Sequence, residues 1–277
     1  MNEKTTKSLP VWFFTNEKLG QFFAKNEHNQ PIERVYAIGG AGDFAFSLLA
    51  QDVRNKIKEI DLCDIRPMAN VTIDLKIALF KNYDLSQIKS LFWGRSEDTL
   101  GSIYAKLKST LPPAVLSAVK KSGAGKFSES LKKSGLWYRE SWRKAKDVEG
   151  YLPYLSSESN YRLMQKNLDK IVIHEGDFND NLKSAGDGYY DLIYCSNILD
   201  SETYCKFPDQ YLQNIQAKLK DGGILFVLTQ NNPKKMIKLI EKQGIHSLRS
   251  ELHKFSPLSL LSNHYSYSIL LFQKAER

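Results

Sequence analysis

The sequence predicts an α/β protein with a doubly wound, mostly parallel sheet of seven strands, a terminal antiparallel strand and a helical insertion. Apolar, strand-like runs lie at 34–39, 59–65, 170–175, 190–196, 223–230, 246–252 and 265–273. Helical patterns separate most of them, and strands that alternate with helices indicate parallel βαβ units. The last two runs have no helical pattern between them, which is typical of an antiparallel pair.

The elements follow in a regular order along the chain. The clearest helical patterns are Phe44–Asn55, Met68–Lys81, Asp209–Leu219 and Pro233–Gln243. The triplet Asp221-Gly222-Gly223 is a turn signal that leads into the fifth strand. We therefore predict an N-terminal helical lid at 1–33, a sheet domain formed by 34–84 and 166–277, and an inserted cap at 85–165.

Composition indicates a globular protein. Of the 277 residues, 42% are hydrophobic and 25% are charged, which are ordinary globular values. No apolar run approaches the ~18 residues that span a bilayer, and the patch Leu9–Phe14 is too short for a signal peptide. Cys63, Cys195 and Cys205 lack metal-binding spacing. We therefore expect a reduced, cytoplasmic compartment and predict neither a disulfide framework nor a metal site.

Residues 34–43, RVYAIGGAGD, predict a strand, a glycine turn and the start of a helix. Glycines let the backbone approach a ligand and adopt positive φ, and a helix N-terminus directs free N–H groups at the same place. The candidate ligand-binding residues are Gly39, Gly40, Ala41, Gly42 and Asp43. The third glycine of a dinucleotide fingerprint is missing, because Phe44 and Ala45 follow the acid. A tight connection without a ligand is the alternative.

Two further acids end strand-like runs. Asp64 ends the second run about 20 residues after the turn, where a βαβ unit presents a carboxylate to a ribose diol. Asp177, followed by Phe178, ends the third run. A single acid at a strand end is often a helix cap. Three acids at matching spacing favour a bound nucleotide.

The insertion at 85–165 carries the net charge of the chain. About 80 residues are too many for a plain connection, and Arg95–Lys146 contains 12 Lys plus Arg against 4 Asp plus Glu. The formal excess of +8 therefore lies in this segment. Aromatic residues are interleaved with the cations at Trp93, Tyr104, Trp137, Tyr138 and Trp142. This pattern favours anionic lipid surfaces or nucleic-acid phosphates, and a cap with solvated lysines is the alternative.

Longer segments carry a family resemblance. The glycine turn resembles the first motif of class I S-adenosylmethionine-dependent transferases. The segments DLCDIRPMANVTIDLKIALFKNYD, SLFWG, GKFSESLKK and YCSNILDS resemble the S-adenosylmethionine:diacylglycerol 3-amino-3-carboxypropyltransferases, the bacterial betaine-lipid synthases. The matching positions are Asp64, Pro67, Leu75, Lys76, Leu91, Phe92, Gly94, Ser196, Asn197 and Asp200.

The resemblance implies a class I methyltransferase-like Rossmann fold with S-adenosylmethionine as the cofactor. It implies that the cofactor is bound by the glycine turn together with Asp64, Ile65, Asp177, Phe178 and Ser196. In this family the acid at the end of the third strand receives the adenine amino group, and the neighbouring aromatic ring packs on the base.

The SNILD segment is the candidate catalytic region. It emerges at the carboxyl end of a central strand, the edge where open α/β sheets bind ligands. Asn197 can donate and accept hydrogen bonds and Asp200 can accept a proton, while Tyr154 is a second candidate base. Capping of the next helix is the alternative for Asn197 and Asp200. His174 is a weaker candidate base, because a histidine at a strand end is more often structural.

Three functions remain open from the sequence. The first is transfer of the 3-amino-3-carboxypropyl group to the hydroxyl of a diacylglycerol-like lipid. The second is methyl transfer to a small molecule or RNA, and the third is a non-catalytic S-adenosylmethionine-binding protein. We expect a lipid or small-molecule acceptor, an anionic membrane surface in contact with residues 95–146, and a cytoplasmic or inner-face peripheral location. Nucleic acid is the less expected partner.

Overall fold

The computed structural model describes residues 31–92, 105–122, 152–200, 208–229, 232–255 and 265–275. Residues 1–30 of the predicted lid at 1–33 and much of the predicted insertion lie outside these ranges. The chain divides into two compact units. In their described parts, one unit comprises 39–51, 66–92, 105–122 and 152–168, and the other comprises 31–38, 52–65, 169–200, 208–229, 232–255 and 265–275. The domain boundaries given by the sequence remain a prediction.

The second unit contains the sheet, and its strands follow the apolar runs of the sequence closely. They are β1 Arg34–Ile38, β2 Glu59–Asp64, β3 Ile171–Glu175, β4 Tyr190–Tyr194, β5 Leu219–Thr229, β6 Ile245–Phe255 and β7 Tyr265–Lys274. Their order is β3-β2-β1-β4-β5-β7-β6. Strands β1 to β5 pair in parallel, and β7 is antiparallel to β5 and β6. The predicted fold class is confirmed.

The strand order reverses between β1 and β4, which are neighbours in the sheet. One connection leads from β1 towards β2, and a later one returns from β3 to β4 on the other side of β1. The carboxyl ends at such a switch point are where open α/β sheets bind ligands. Gly39 follows β1 directly, and Ser196 lies two residues beyond β4. The fold therefore brings the last residues of these two strands side by side.

The helices are α1 Asp43–Leu49, α2 Pro67–Asn82, α3 Leu85–Phe92, α4 Pro113–Ser122, α5 Glu158–Lys166, α6 Phe178–Lys183, α7 Pro208–Lys218 and α8 Pro233–Glu241. Helix α1 ends at Leu49 instead of the predicted Asn55. The chain then forms a loop in which the Asp52 carboxylate accepts the N–H groups of Lys56 and Ile57. In the described ranges, no helix is long and apolar enough to cross a membrane.

Aromatic packing forms the core of the first unit. The Phe80 ring lies 5.0 Å from Phe46, 5.5 Å from Tyr154 and 6.0 Å from Tyr161, between ring centroids. The Tyr161 hydroxyl donates to the carbonyl of Tyr83 at the end of α2. These contacts join α1, α2, α5 and the 3₁₀ turn Pro153–Leu155. The side chains of α1 are buried along its whole length.

The core of the sheet unit lies against α6, α7 and α8. Its buried side chains include Tyr36, Cys63, Phe178, Tyr190, Leu212, Ile215, Leu225, Ile240 and Phe272. Burial raises the pKa of the Cys63 thiol to about 11. Because the thiolate is the reactive form, Cys63 is an inert residue of the core.

Candidate functional site

The glycine turn closes tightly after β1. The Gly42 N–H donates to the Gly39 carbonyl over 2.8 Å, and Gly40 and Gly42 have φ of 51° and 79°. A Cβ on Gly42 would lie 2.7 Å from the Phe46 ring, whereas a Cβ on Gly40 would meet no atom of the described residues within 4 Å. Gly42 is thus required by packing, and at Gly40 the positive φ is what favours glycine.

The first residue of α1 belongs to a buried polar cluster. Asp43 Oδ1 accepts hydrogen bonds from Lys76 Nζ at 2.8 Å and from the Tyr154 hydroxyl at 2.6 Å. Lys76 Nζ also donates to the Ala41 carbonyl at 2.9 Å. The side chains of Lys76 and Asp43 are both 0% exposed. Lys76 was found in the sequence only as a position of the resemblance, because a lysine in a helical pattern usually lies on the surface.

The cluster shifts the acidities of two members. Burial lowers the pKa of the Lys76 ammonium, and the neighbouring Asp43 charge opposes that change. Burial, followed by the Asp43 charge, raises the pKa of Tyr154 well above its ordinary value. As placed, the Tyr154 hydroxyl is a hydrogen-bond donor. Its role as a base, and the cofactor contact of Asp43, stay predictions.

Asp64 ends the second strand, and Ile65 follows it directly. Cys63 pairs with Ile38, the last residue of β1, and Asp64 follows Cys63 directly. The Asp64 side chain is buried, and its carbonyl accepts the N–H of Gly176. Ile65 is 51% exposed, which is unusual for a large apolar side chain in the described residues. A carboxylate beside an exposed apolar surface suits a ribose and its attached base.

Asp177 and Phe178 have structural partners. Asp177 Oδ1 accepts the N–H groups of Asn179 and Asp180 as the N-cap of α6, and Oδ2 accepts the Tyr211 hydroxyl at 2.9 Å. The Phe178 ring is buried, 4.7 Å from the Tyr36 ring. The structure thus shows the capping that the sequence leaves open for such an acid. Contacts of this pair with adenine stay predictions.

The SNILD segment bends sharply after β4. Ser196 has a left-handed φ of 47°, and its carbonyl accepts the Leu228 N–H of β5. Asn197 is exposed. Asp200 ends a 3₁₀ turn, and its Oδ1 accepts the hydroxyl of Thr229 at 2.7 Å. The segment therefore lies beside the carboxyl end of β5, and Asn197 is its exposed residue.

A second buried carboxylate was missed from the sequence. Asp61 Oδ1 lies 2.6 Å from His174 Nε2, and its Oδ2 accepts the Tyr190 hydroxyl at 3.0 Å. The three residues come from β2, β3 and β4. The only signal in the sequence is an acid in the middle of an apolar strand, since such a group needs partners when buried. Its contact with Asp61 gives His174 a structural role in the sheet.

Comparisons with known proteins give weak similarities. No protein-family model matches the sequence, and no curated protein matches it. A structure of the [4+2]-cyclase SpnF is 10% identical with a TM-score of 0.47, covering 94% of this chain and 81% of that one. A structure assigned to a sarcosine dimethylglycine methyltransferase of Galdieria sulphuraria is 13% identical with a TM-score of 0.43, covering 94% and 85%.

A third similar structure is a complex of the Haloferax volcanii Trm112 methyltransferase activator with a protein assigned as a methyltransferase. It is 9% identical with a TM-score of 0.44, covering 97% of this chain and 91% of that one. At these identities and scores, the similarities carry no reaction over to this chain.

Proposed function

We propose that this chain is an S-adenosylmethionine-dependent transferase that moves the 3-amino-3-carboxypropyl group to the hydroxyl of a diacylglycerol-like lipid. The observation that carries the proposal is the glycine turn at the carboxyl end of β1, where the strand order reverses. Ligands bind at this edge of open α/β sheets. The choice of transferred group rests on the sequence resemblance.

The residues of the turn and of β2 fit this cofactor. Among the described residues there is space beside the Gly40 Cα, and the Asp64 carboxylate can bind both hydroxyls of a ribose. Ile65 supplies an exposed apolar side chain for a base. When bound, S-adenosylmethionine supplies a sulfonium that activates its attached carbons toward a nucleophile.

Asn197 and Asp200 are the proposed groups for the acceptor. Asp200 takes the proton of the lipid hydroxyl while the oxygen forms a bond to the γ-carbon and the bond from that carbon to sulfur breaks. Methylthioadenosine leaves. Asn197 is exposed and orients the hydroxyl by hydrogen bonding. The hydrogen bond from Thr229 holds Asp200 at the end of β5.

Product analysis tests this proposal. The purified protein is incubated with S-adenosylmethionine and diacylglycerol-containing vesicles, and the nucleoside product is identified by mass spectrometry. Methylthioadenosine together with an alkylated lipid supports the proposal. S-adenosylhomocysteine would instead show methyl transfer, and binding without either product would show a non-catalytic protein. If calorimetry detects no binding of S-adenosylmethionine, the proposal is wrong at its first step.

A lipid acceptor requires contact with a membrane surface, for which the cationic insertion is the proposed region. In its described part, Leu107, Leu111 and Val115 are buried, while Lys108 and Lys120 are exposed. Apolar side chains therefore pack inward and cations face the solvent. This arrangement suits an anionic surface.

Vesicle sedimentation tests the membrane contact. The protein should sediment with anionic vesicles and not with neutral ones, because each cation near an acidic surface contributes about 1 kcal/mol. Salt should release it, since the screening length falls to about 3 Å at 1 M. Changing Lys120, Lys121, Lys132 and Lys133 to Gln should abolish sedimentation. Equal binding to neutral vesicles, or tighter salt-sensitive binding to RNA, would overturn the lipid assignment.

A further inference from the structure

Lys76 is a buried cation whose acceptors come from the glycine turn and the helix that follows it. Its ammonium bonds the Ala41 carbonyl and the Asp43 carboxylate, 2.9 Å and 2.8 Å away. A buried charge is costly unless it is paired and hydrogen-bonded. The conformation of the turn therefore supplies two of the contacts that compensate the burial of Lys76.

The bond to Ala41 fixes one particular peptide group. The carbonyl of Ala41 and the N–H of Gly42 belong to the same planar, trans peptide, so they point in opposite directions. Lys76 holds the carbonyl, and the Gly39 carbonyl accepts the N–H at 2.8 Å. Because glycine tolerates both signs of φ, Gly42 by itself does not prevent this peptide from flipping. The ammonium therefore adds a second restraint to the hydrogen bond between Gly42 and Gly39.

The Asp43 carboxylate also accepts a hydrogen bond from a second element, the 3₁₀ turn Pro153–Leu155. The Tyr154 hydroxyl donates to the same oxygen that Lys76 contacts, at 2.6 Å. The Tyr154 ring packs against Phe46 of α1 and Phe80 of α2. Helix α2 and the 153–155 turn are thus both tied to the first residue of α1.

We propose that Lys76, Asp43 and Tyr154 are positioning residues that hold the glycine turn in its cofactor-binding conformation. They act through the backbone of residues 39–42, which makes the contacts with the ligand. This inference rests on the proposed function, since the ligand is S-adenosylmethionine. In this inference Asp43 and Tyr154 support the backbone of the turn. Asp43 does not contact the cofactor, and Tyr154 does not transfer a proton.

A paired substitution tests the role of Lys76. Lys76→Met alone leaves the Asp43 charge buried, and such a break can unfold a protein. The double variant Asp43→Asn with Lys76→Met removes both charges together, and replacing a buried pair by neutral groups is often tolerated. We expect it to fold and to bind S-adenosylmethionine about 10- to 100-fold more weakly by calorimetry, the usual effect of losing a hydrogen bond to a charged group.

Lys274 provides a matched control. It is also buried, it donates to the Leu219 carbonyl at 2.7 Å, and it lies 3.3 Å from Asp221. These residues are at the start of β5 and the end of β7, the opposite edge of the sheet from the carboxyl ends of the parallel strands. Lys274→Met should lower the thermal stability and leave the affinity for S-adenosylmethionine unchanged.

Tyr154→Phe separates positioning from catalysis. The variant keeps the packed ring and loses only the bond to Asp43. A positioning role predicts a higher KM for S-adenosylmethionine with kcat retained at saturation, whereas a catalytic base predicts loss of kcat at unchanged affinity.

Three outcomes are decisive. Wild-type affinity in the folded double variant, or loss of kcat alone in Tyr154→Phe, overturns this inference and leaves the proposed function standing. Failure of the wild-type protein to bind S-adenosylmethionine overturns the proposed function, and this inference with it.

Discussion

Asp177 uses both carboxylate oxygens to connect three elements of the sheet unit. It follows β3 closely, caps α6 through two backbone N–H groups, and accepts the Tyr211 hydroxyl of α7. Hydrogen bonds that a carboxylate accepts at a helix N-terminus are among the stronger ones. A contribution of Asp177 to stability is therefore expected whether or not a ligand is bound.

Substitution of Asp177 should reveal the capping role. Asp177→Ala should lower the free energy of unfolding by about 1–2 kcal/mol, the usual cost of a lost N-cap. Asp177→Asn should lose much less, because asparagine caps helices about as well as aspartate. Urea denaturation measures both. An equal loss in the two variants would show that the charge matters more than the cap.

Asp200 can be tested as a base by a change that keeps its shape. Asp200→Asn retains an acceptor for the Thr229 hydroxyl and cannot take a proton. We expect turnover to fall by about 10²- to 10⁴-fold, the range for general base catalysis, with little change in cofactor affinity. Asn197→Ala should lower turnover in the same direction. Full turnover in Asp200→Asn would show that Asp200 is not the base and would leave it a structural role.

At the scale of the element, the two left-handed glycines of the turn differ in their surroundings. Gly40→Ala should cost about 1–2 kcal/mol of stability from backbone strain alone and should weaken binding of S-adenosylmethionine, because the added methyl group occupies open space beside the turn. Gly42→Ala adds a clash with Phe46 and should destabilise more. Thermal unfolding and calorimetry measure these two effects.

Gly188 is the control for backbone strain. It has a φ of 61° and equally open surroundings, and it lies in the loop between α6 and β4. Gly188→Ala should match the stability loss of Gly40→Ala without changing cofactor affinity. If the affinity falls equally in both variants, the open space at Gly40 is not where the cofactor binds.

Strands and helices were largely predictable because their patterns are local. Strand β2, predicted at 59–65, occurs at Glu59–Asp64, and α2, predicted at Met68–Lys81, gains Pro67 and Asn82. Proline is favourable at the first position of a helix, so the earlier start has a simple cause. Strand β5 begins at Leu219 instead of 223, because Leu219 already pairs with Tyr190 before the register shifts.

Side-chain partners were not predictable in the same way. Lys76 and Tyr154 both donate hydrogen bonds to Asp43 from distant parts of the sequence, and no periodic pattern predicts those contacts. The Asp61 contact with His174 likewise depends on the pairing of β2 with β3. The glycine turn was recognisable because backbone positions with positive φ favour glycine, which is visible in the sequence.

At the scale of the whole molecule, buried phenols are a common feature of both units. Burial is the main cause that raises the pKa of Tyr36 and Tyr190 in the sheet unit, and of Tyr154 and Tyr161 in the other. Several of their hydroxyls donate to carbonyl or carboxylate oxygens, as Tyr36 does to the Phe178 carbonyl. Each phenol must stay protonated in the folded protein.

This feature predicts a loss of stability at alkaline pH. Below about pH 10 a tyrosine is protonated in both the folded and the unfolded chain, so its contribution is fully present. Above that pH the unfolded chain releases protons that the folded protein retains, and the free energy of unfolding falls. Cys63 acts in the same direction as pH rises to about 11. The lowered pKa of Lys76 acts oppositely, but among the described residues it is one group against four phenols and a thiol.

Urea midpoints measured between pH 8 and 11 test this prediction. The midpoint should fall continuously above about pH 9, where thiols and then phenols begin to ionise in the unfolded chain. Tyr190→Phe removes one buried phenol and should make the decline less steep, even though losing the bond to Asp61 lowers stability at pH 8. Tyr189→Phe is the control variant, since the Tyr189 ring is only partly buried. A midpoint that is constant up to pH 11 would show that the buried phenols ionise without opening the fold.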